Sequence, residues 1–342
     1  MPNKKISIAQ FGMGYWGPNL LRNLMNSPRF EVEKVVDISS DRRSFVRSLY
    51  PSIKVTNNVQ HVFSDSAVEA VVIATPVESH FNLSIRALES GKHILVEKPM
   101  ATTVEEINQI GSVARKNHLT AMAGHTFLYN PAVRAVKQIL DSGELGDIRY
   151  IYSQRVNLGR IRSDVDALWN LAPHDISIVQ YWLGETAPVS VKRSGMDYVQ
   201  RGIEDVSFLN LEYPGNILVN IHVSWLDPQK VRRMTVVGSE KMVVYDDLAE
   251  DKVVIYDKGI DRMAILGENM DFDQISNDGF NHRSGKARAA QVKWIEPLRI
   301  EMDHFADCIT NGVDCLTGVD HASRVVSILE QASSYSLFSK TS

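Results

Sequence analysis

The sequence predicts an α/β protein: an N-terminal doubly wound parallel sheet over residues 1–124, then an α+β region over 125–342 built on a large, mostly antiparallel open sheet. Three observations point there. Short apolar runs alternate with helical patterns from residue 5 to residue 123. The run Val71-Val72-Ile73-Ala74 is apolar at every position, as expected of a parallel strand covered on both faces. Across 216–224, by contrast, Ile217, Val219, Ile221 and Val223 alternate with Leu218, Asn220, His222 and Ser224, the period-two pattern of a sheet with one buried face.

In the first region the expected strands are 5–11, 32–36, 70–75, 93–97 and 119–123. A helical pattern carrying Leu20, Leu21 and Leu24 follows the first strand, and helices are expected at 79–90, stopped by Gly91, and at 103–117. With Thr102 or Thr103 as N-cap, Glu105 or Glu106 falls at N3, a capping box. Strand–helix alternation of this kind winds right-handed. After Asn130-Pro131 a helix is expected at 131–141, then strands at 148–157, 188–194, 204–212, 216–225, 231–238, 241–246 and 252–256, interrupted by a helix at 174–183. Residues 257–290 are polar and patternless, which predicts a functional arm or a disordered one. Helices 297–311 and 320–336 close the chain, and the C-terminal helix can either stay with the second region or pack back on the first.

Composition excludes several classes. A length of 342 residues exceeds one ordinary core, so two domains are expected. A formal charge of −4 offers no basic footprint for nucleic acid. No apolar run approaches the roughly 18 residues a membrane span needs. Met1-Pro2-Asn3-Lys4-Lys5 leads into a strand rather than a signal-peptide core. The two cysteines, Cys308 and Cys315, fit neither a zinc site nor a CxxC pair, and reduced thiols in the cytoplasm are expected. Glu301-x-x-His304 has the spacing of half a carboxylate-bridged di-iron site, which needs a second such motif; with one motif no metal is expected.

The strongest local signal is Gly12-Met13-Gly14-Tyr15-Trp16-Gly17, set between a strand and a helix. Gly12 permits a tight turn, Gly14 lets backbone approach a pyrophosphate, and Gly17 allows close helix packing. The phosphates would sit on free N–H groups at the helix N-terminus. Asp37 ends the second strand at the spacing where a carboxylate receives the ribose hydroxyls and repels a 2′-phosphate, so NAD is expected over NADP; Arg42 and Arg43 close behind weaken that preference. Thr75 and Pro76 end the third expected strand on the edge that faces the ribose and nicotinamide. His80 either lines that edge or caps its helix.

Two residues are the catalytic candidates. Lys98 follows Glu97 at the end of the apolar strand 93–97, where it must emerge at the rim; partial burial there lowers a lysine pKa and lets it relay a proton. The alternative is a surface lysine paired with Glu97. His174, in Trp169-Asn170-Leu171-Ala172-Pro173-His174-Asp175-Ile176, is expected to open a helix and can accept a proton from an alcohol. The alternative is a capping or core histidine.

Taken in order, GMGYWGPN, ATPVESH, GKHILVEKP, GHTFLYNP and WNLAPHDI resemble the glucose–fructose oxidoreductase/inositol dehydrogenase/MocA family along essentially the whole chain. The resemblance implies a Rossmann domain, a C-terminal domain with a large open sheet, and homodimers or homotetramers built on that sheet. It maps the family's EKP lysine onto Lys98 and its proton-accepting histidine onto His174. Where the family often has Asp four residues before that histidine, this chain has Asn170, an amide that can orient a hydroxyl but cannot serve as a base.

Within the family, GHTFLYNPAVR, SQRVNLGRIRSDV, SWLDPQKVRRMTVVGS and KMVVYDD resemble the branch acting on nucleotide-linked sugars. That implies oxidation of the C3 hydroxyl of UDP-N-acetylglucosamine or its uronic acid. Arg155, Arg160 and Arg162 suit a diphosphate or carboxylate, since guanidinium forks pair with both; surface salt bridges are the alternative. Lys230, Arg232 and Arg233 could serve the same purpose or a subunit contact, and Tyr129 and Asn130 are expected to line the sugar pocket. Two other functions fit: a dehydrogenase of a free polyol such as inositol, and a non-catalytic NAD-binding regulator.

Overall fold

The computed structural model describes residues 5–262 and 280–334. By internal contacts the described residues form two units, one drawn from 5–130, 176–180 and 295–331, the other from 131–175, 181–262, 280–294 and 332–334.

The first unit holds β1 (Ile6–Phe11), α1 (Gly17–Asn26), β2 (Phe30–Val36), α2 (Ser40–Leu49), β3 (Lys54–Thr56), α3 (Gln60–Phe63), β4 (Ala70–Ile73), α4 (His80–Glu89), β5 (His93–Glu97), α5 (Val104–Lys116) and β6 (Ala121–Gly124). Its six strands run in the order β3-β2-β1-β4-β5-β6, all parallel. The fully buried run Ala70–Ile73 is a central strand, as its unbroken apolarity requires. Thr103 caps α5, its hydroxyl accepting the Glu106 N–H at 3.2 Å, while Glu106 reaches back to the Thr102 N–H at 3.1 Å. That is a capping box displaced by one residue.

The second unit begins with α6 (Pro131–Asp141), β7 (Ile148–Leu158) and α7 (Ala167–Trp182), whose residues 176–180 group with the first unit. It continues with β8 (Ser190–Met196), β9 (Val206–Tyr213), β10 (Ile217–Ser224), β11 (Leu226–Gly238), β12 (Met242–Asp246), β13 (Val253–Arg262) and β14 (Phe280–Ala289). These eight strands form one sheet in the order β14-β13-β12-β11-β7-β10-β9-β8, antiparallel except where β7 meets β10. Ile151, Ser153, Val219, Ile221, Leu209 and Leu211 are buried on one face; Tyr150, Tyr152, Leu218 and Phe208 are exposed on the other. Two further helices, α8 (Pro297–Asn311) and α9 (Val319–Ser334), follow.

By contacts, 125–130, 176–180 and 295–331 group with the first unit. The reason is packing: Leu298, Met302 and Phe305 of α8 share one core with Ile8, Leu20, Phe30, Val72 and Leu95. Helix α7 starts at Ala167, not at 174, because Asp166 caps it, its carboxylate accepting the Trp169 N–H at 2.8 Å. His174 therefore lies inside the helix, just past Pro173, rather than opening it. β11 starts at Leu226, with a register break against β7 between Leu226 and Val231 that absorbs Asp227-Pro228-Gln229-Lys230 as a bulge. Residues 257–262 and 280–289 of the expected arm are paired strands, β13 against the charged edge strand β14; 263–279 lie outside the described residues. Among the described residues no helix is long and apolar enough to cross a membrane.

Candidate functional site

In the first unit the glycine turn is built around a close crossing of chain segments. Gly12 has φ +90°, and a Cβ there would sit 2.4 Å from the Ala74 carbonyl oxygen. A Cβ on Gly17 would sit 2.5 Å from the Gly12 oxygen. Gly14 differs: a Cβ would meet nothing within 4 Å, so its bare backbone faces open space. Helix α1 begins there with Trp16 as N-cap and no side-chain cap. Its first N–H groups are thus presented outward, which fits a pyrophosphate. Tyr15 and Trp16 are exposed and Met13 is buried.

Beneath the turn lies Gln10, wholly buried, which sequence reasoning missed. Its amide donates to the Gly12 carbonyl at 3.0 Å and to the Gly17 carbonyl at 2.9 Å, stapling both ends of the loop. The signal was available: a carboxamide inside an apolar strand needs buried partners. Asp37 closes the site on the β2 side. Its carboxylate accepts the Met13 N–H at 2.7 Å and the Ser39 N–H at 2.8 Å. Arg43 spends its guanidinium on the carbonyls of Asp37 and Ile38, at 2.7 and 2.9 Å, and Arg42 is exposed.

At the rim of β4 and β5, His80 is buried and bridges two loops. Its Nε2 lies 2.8 Å from the Thr75 carbonyl and its Nδ1 2.9 Å from that of Pro99. Burial holds it below the usual histidine range. A neutral imidazole carries one N–H, so it donates to one carbonyl at a time. It fixes the loops after β4 and β5 to each other and does not cap its helix. Thr75 is half-buried with its hydroxyl 2.6 Å from that of Ser79, and Pro76 is exposed. Lys98 is half-buried at the end of β5. The Glu97 carboxylate accepts the Lys98 backbone N–H at 3.2 Å.

In the second unit His174 is half-buried on α7. Next to it, Asp175 receives Arg155 Nε at 2.6 Å, Arg155 Nη2 at 3.2 Å and the Ser153 hydroxyl at 2.9 Å. Burial works against the Arg155 charge and the Asp175 carboxylate outweighs it, so the guanidinium is held above its ordinary pKa. Asn170 accepts the Trp225 indole N–H at 3.2 Å. Arg162 is ion-paired with Asp164, and Arg160 is exposed.

Three expected pocket residues are buried. Arg155 is buried in its ion pair and is not offered to a ligand. Tyr129 is a core residue of the first unit with no exposed surface, its hydroxyl 2.9 Å from that of Thr317. Asn130 is buried as well. The paired residues of Glu301-x-x-His304 diverge: Glu301 accepts the Thr126 hydroxyl at 2.8 Å, and His304 Nε2 accepts the Leu316 N–H at 3.0 Å.

Residues 6–125 match the profile described as "Oxidoreductase family, NAD-binding Rossmann fold", and residues 133–244 match the "GFO/IDH/MocA C-terminal domain". The chain belongs to the GFO/IDH/MocA oxidoreductase family. It is 25% identical to the scyllo-inositol 2-dehydrogenase (NAD(+)) of Bacillus subtilis (strain 168) over 321 residues, 90% of this chain and 87% of that protein. An oxidoreductase of Streptococcus pneumoniae serotype 4 matches over 222 residues at 25% identity, 61% of this chain and 59% of that protein. Among solved structures, the UDP-N-acetylglucosamine 3-dehydrogenase GnnA of Acidithiobacillus ferrooxidans shares the fold with a TM-score of 0.80 at 21% identity, covering 97% of this chain and 98% of that one. GenD2 from gentamicin A biosynthesis, solved in complex with NAD, has a TM-score of 0.80 at 20% identity, covering 98% and 95%.

As a GFO/IDH/MocA protein the chain carries the glycine turn of an NAD-binding Rossmann domain, and its loop geometry fits that group. The Gly14 opening, the uncapped α1 start and the Asp37 carboxylate are the residues that would hold it.

Proposed function

We propose that this family member is an NAD-dependent dehydrogenase of a sugar ring hydroxyl, acting at C3 of a nucleotide-linked sugar such as UDP-N-acetylglucosamine or its uronate. The observation that carries the NAD assignment is Asp37. Its carboxylate stands at the tip of β2, tied to the glycine turn through Met13, and the neighbouring Arg43 is occupied by carbonyls instead of being available to a 2′-phosphate. Bound NAD supplies the hydride acceptor. His174 takes the hydroxyl proton. Lys98 donates a hydrogen bond to the same oxygen as it becomes an alkoxide. Asn170, whose carbonyl oxygen accepts the Trp225 indole N–H, orients the sugar hydroxyl. Tyr150, Tyr152, Phe208 and Leu218 form an exposed apolar face on the large sheet, suited to a second copy of the chain, so a homo-oligomer is part of the proposal. Cys308 and Cys315 are free thiols, in keeping with a reducing cytoplasmic setting.

A second substrate, a free polyol such as inositol, is favoured by one observation. With Arg155 buried against Asp175 and Arg162 paired with Asp164, the arginines offered to a diphosphate reduce to Arg160 on that segment. Lys98→Met tests the chemistry. Turnover should fall about 100-fold or more while the NAD dissociation constant stays within about threefold. Near wild-type turnover in that variant refutes the assigned roles.

A further inference from the structure

The first unit buries a second set of titratable groups behind Lys98. Glu97 ends β5 opposite Gly124 of β6, and a Cβ on Gly124 would lie 3.1 Å from Glu97 Oε1, so the carboxyl packs flat against that glycine. Glu97 Oε2 accepts the Lys98 N–H, and the Trp16 side chain, from the dinucleotide turn, hydrogen-bonds the same carboxyl. Two residues past Gly124, the Thr126 hydroxyl donates to Glu301 of α8, which has no exposed surface. The carboxyls of β5 and α8 thus flank the 124–126 turn. Glu97 Oε1, Glu301 Oε1 and His125 Nδ1 are buried without a hydrogen-bond partner among the described residues.

The groups facing this pair are few and of known kind. Lys98 faces it from the end of β5. His125 faces it from the turn, edge-on to His321 of α9 with ring centroids 5.2 Å apart, and His321 Nε2 lies 2.8 Å from the Ser177 hydroxyl. The Tyr129 phenol lies near Glu301, and Trp16 meets Glu97 from the start of α1. Glu97 is half-buried with its Oε1 sealed from solvent and Glu301 is fully buried, so two carboxylates in this setting opposite one ammonium disfavour ionisation of both. Burial, then the Glu97 charge, holds Glu301 well above the carboxylate range, which favours its protonated form. Burial lifts Glu97 to about 7 against the pull of Lys98. Burial, then His321, then Lys98 keep His125 well below its ordinary value, so it supplies no compensating charge.

We propose that the Glu97–Glu301 pair is a proton-exchanging element of the dinucleotide site, carrying one negative charge, on Glu97, when the bound nicotinamide is cationic and none when it is neutral. The proton passes between Glu97 and solvent; Glu301 keeps its own and prevents a second charge from forming. Glu97 is suited to this because one carboxyl contacts both the turn that holds the dinucleotide and the backbone of the residue assigned to stabilise the alkoxide. The proposal rests on the dinucleotide assignment above. NAD⁺ and NADH carry the same pyrophosphate, so any difference in the protons they displace reports the ring charge alone.

Calorimetric titration of the full chain with NAD⁺ and with NADH, each in two buffers of different ionisation enthalpy, counts those protons. At pH 7 NAD⁺ should release about half a proton and NADH should take up about half, a difference of about one proton that fades about two pH units to either side. Glu97→Gln should bind both nucleotides with no difference between them. Glu301→Gln, which replaces one neutral group by another, should keep the difference, and it should lose a buried carboxylic-acid carbonyl band present in the wild-type infrared spectrum at pH 7. Equal proton release by the two nucleotides in the wild type overturns the proposal and leaves the dinucleotide assignment standing. So does a difference that survives in folded Glu97→Gln or vanishes in Glu301→Gln. Should Glu97→Gln fail to fold, the wild-type titrations and the Glu301→Gln spectrum still decide. Failure of either nucleotide to bind the wild type overturns the dinucleotide assignment and the proposal together.

Discussion

Substituting alanine at Gly12 and at Gly14 should separate stability from cofactor binding. At Gly12 the added Cβ meets the Ala74 carbonyl oxygen at 2.4 Å, its carbon at 2.6 Å and the Thr75 nitrogen at 2.8 Å, all backbone of the segment after β4. The residue also holds φ +90°, which costs an L-residue about 1–2 kcal/mol. Displacing a packed segment adds about 1–3 kcal/mol. Gly12→Ala should therefore lose about 2–5 kcal/mol of stability. Gly14 has an ordinary φ and nothing within 4 Å of the added methyl, so Gly14→Ala should unfold within about 1 kcal/mol of wild type. Its methyl fills the space left for a pyrophosphate, and the NAD dissociation constant should rise about tenfold or more, equivalent to about 1.4 kcal/mol. Urea unfolding and a fluorescence titration with NAD measure both quantities on the same samples. A stable Gly14→Ala that binds NAD as tightly as wild type would refute the assignment of the turn.

Three further outcomes follow from the side chains around the site. Arg155→Ala leaves Asp175 charged and buried, and should cost about 3–5 kcal/mol in urea unfolding, while the double replacement Arg155→Met with Asp175→Leu should recover most of it. Tyr129→Phe removes the hydroxyl bonded to Thr317 and should cost about 1 kcal/mol with KM for the sugar unchanged; a KM shift of more than about threefold would return Tyr129 to the pocket. Glu97 sits at about 7 in the folded chain against 4.5 for a free glutamate, so the folded state holds the extra proton and its contribution is full below about 4.5. That stability is lost as pH rises toward 7 and somewhat beyond, by no more than about 3 kcal/mol, and unfolding at pH 5 and pH 8 should show a smaller change in Glu97→Gln than in wild type.

What the sequence made legible is what a single periodicity or turn can encode. The all-apolar β4, the alternation of β10 and the glycine turn each read correctly because burial on two faces, burial on one face, and a left-handed φ leave local marks. Helix α2 and strand β3 left none: α2 buries only Val46, and β3 is a three-residue edge strand with no buried position. Pro173 masked the first turns of α7, since the Asp166 cap that starts the helix is recognisable only when its bond to Trp169 is seen. β14 is polar because an edge strand needs charge rather than a second apolar face. The site divides in the same way. Motif spacing singles out residues by backbone geometry or rim position, such as Gly12, Gly14, Asp37 and Lys98. The contacts of Arg155, Tyr129 and Glu301 could not be read from it, because their partners Asp175, Thr317 and Thr126 lie far away in sequence.

NADH absorbance with purified protein, NAD and a panel of UDP-N-acetylglucosamine, its uronic acid and free myo-inositol, with a carbonyl trap to draw off the ketone, tests the central claim most directly. NADH should form with a UDP-sugar and fall about 100-fold in Lys98→Met and in His174→Ala. NADH formed with myo-inositol alone would move the substrate to free polyols. No NADH with any of the three, from protein shown to bind NAD, would contradict the assignment as a dehydrogenase of these hydroxyls.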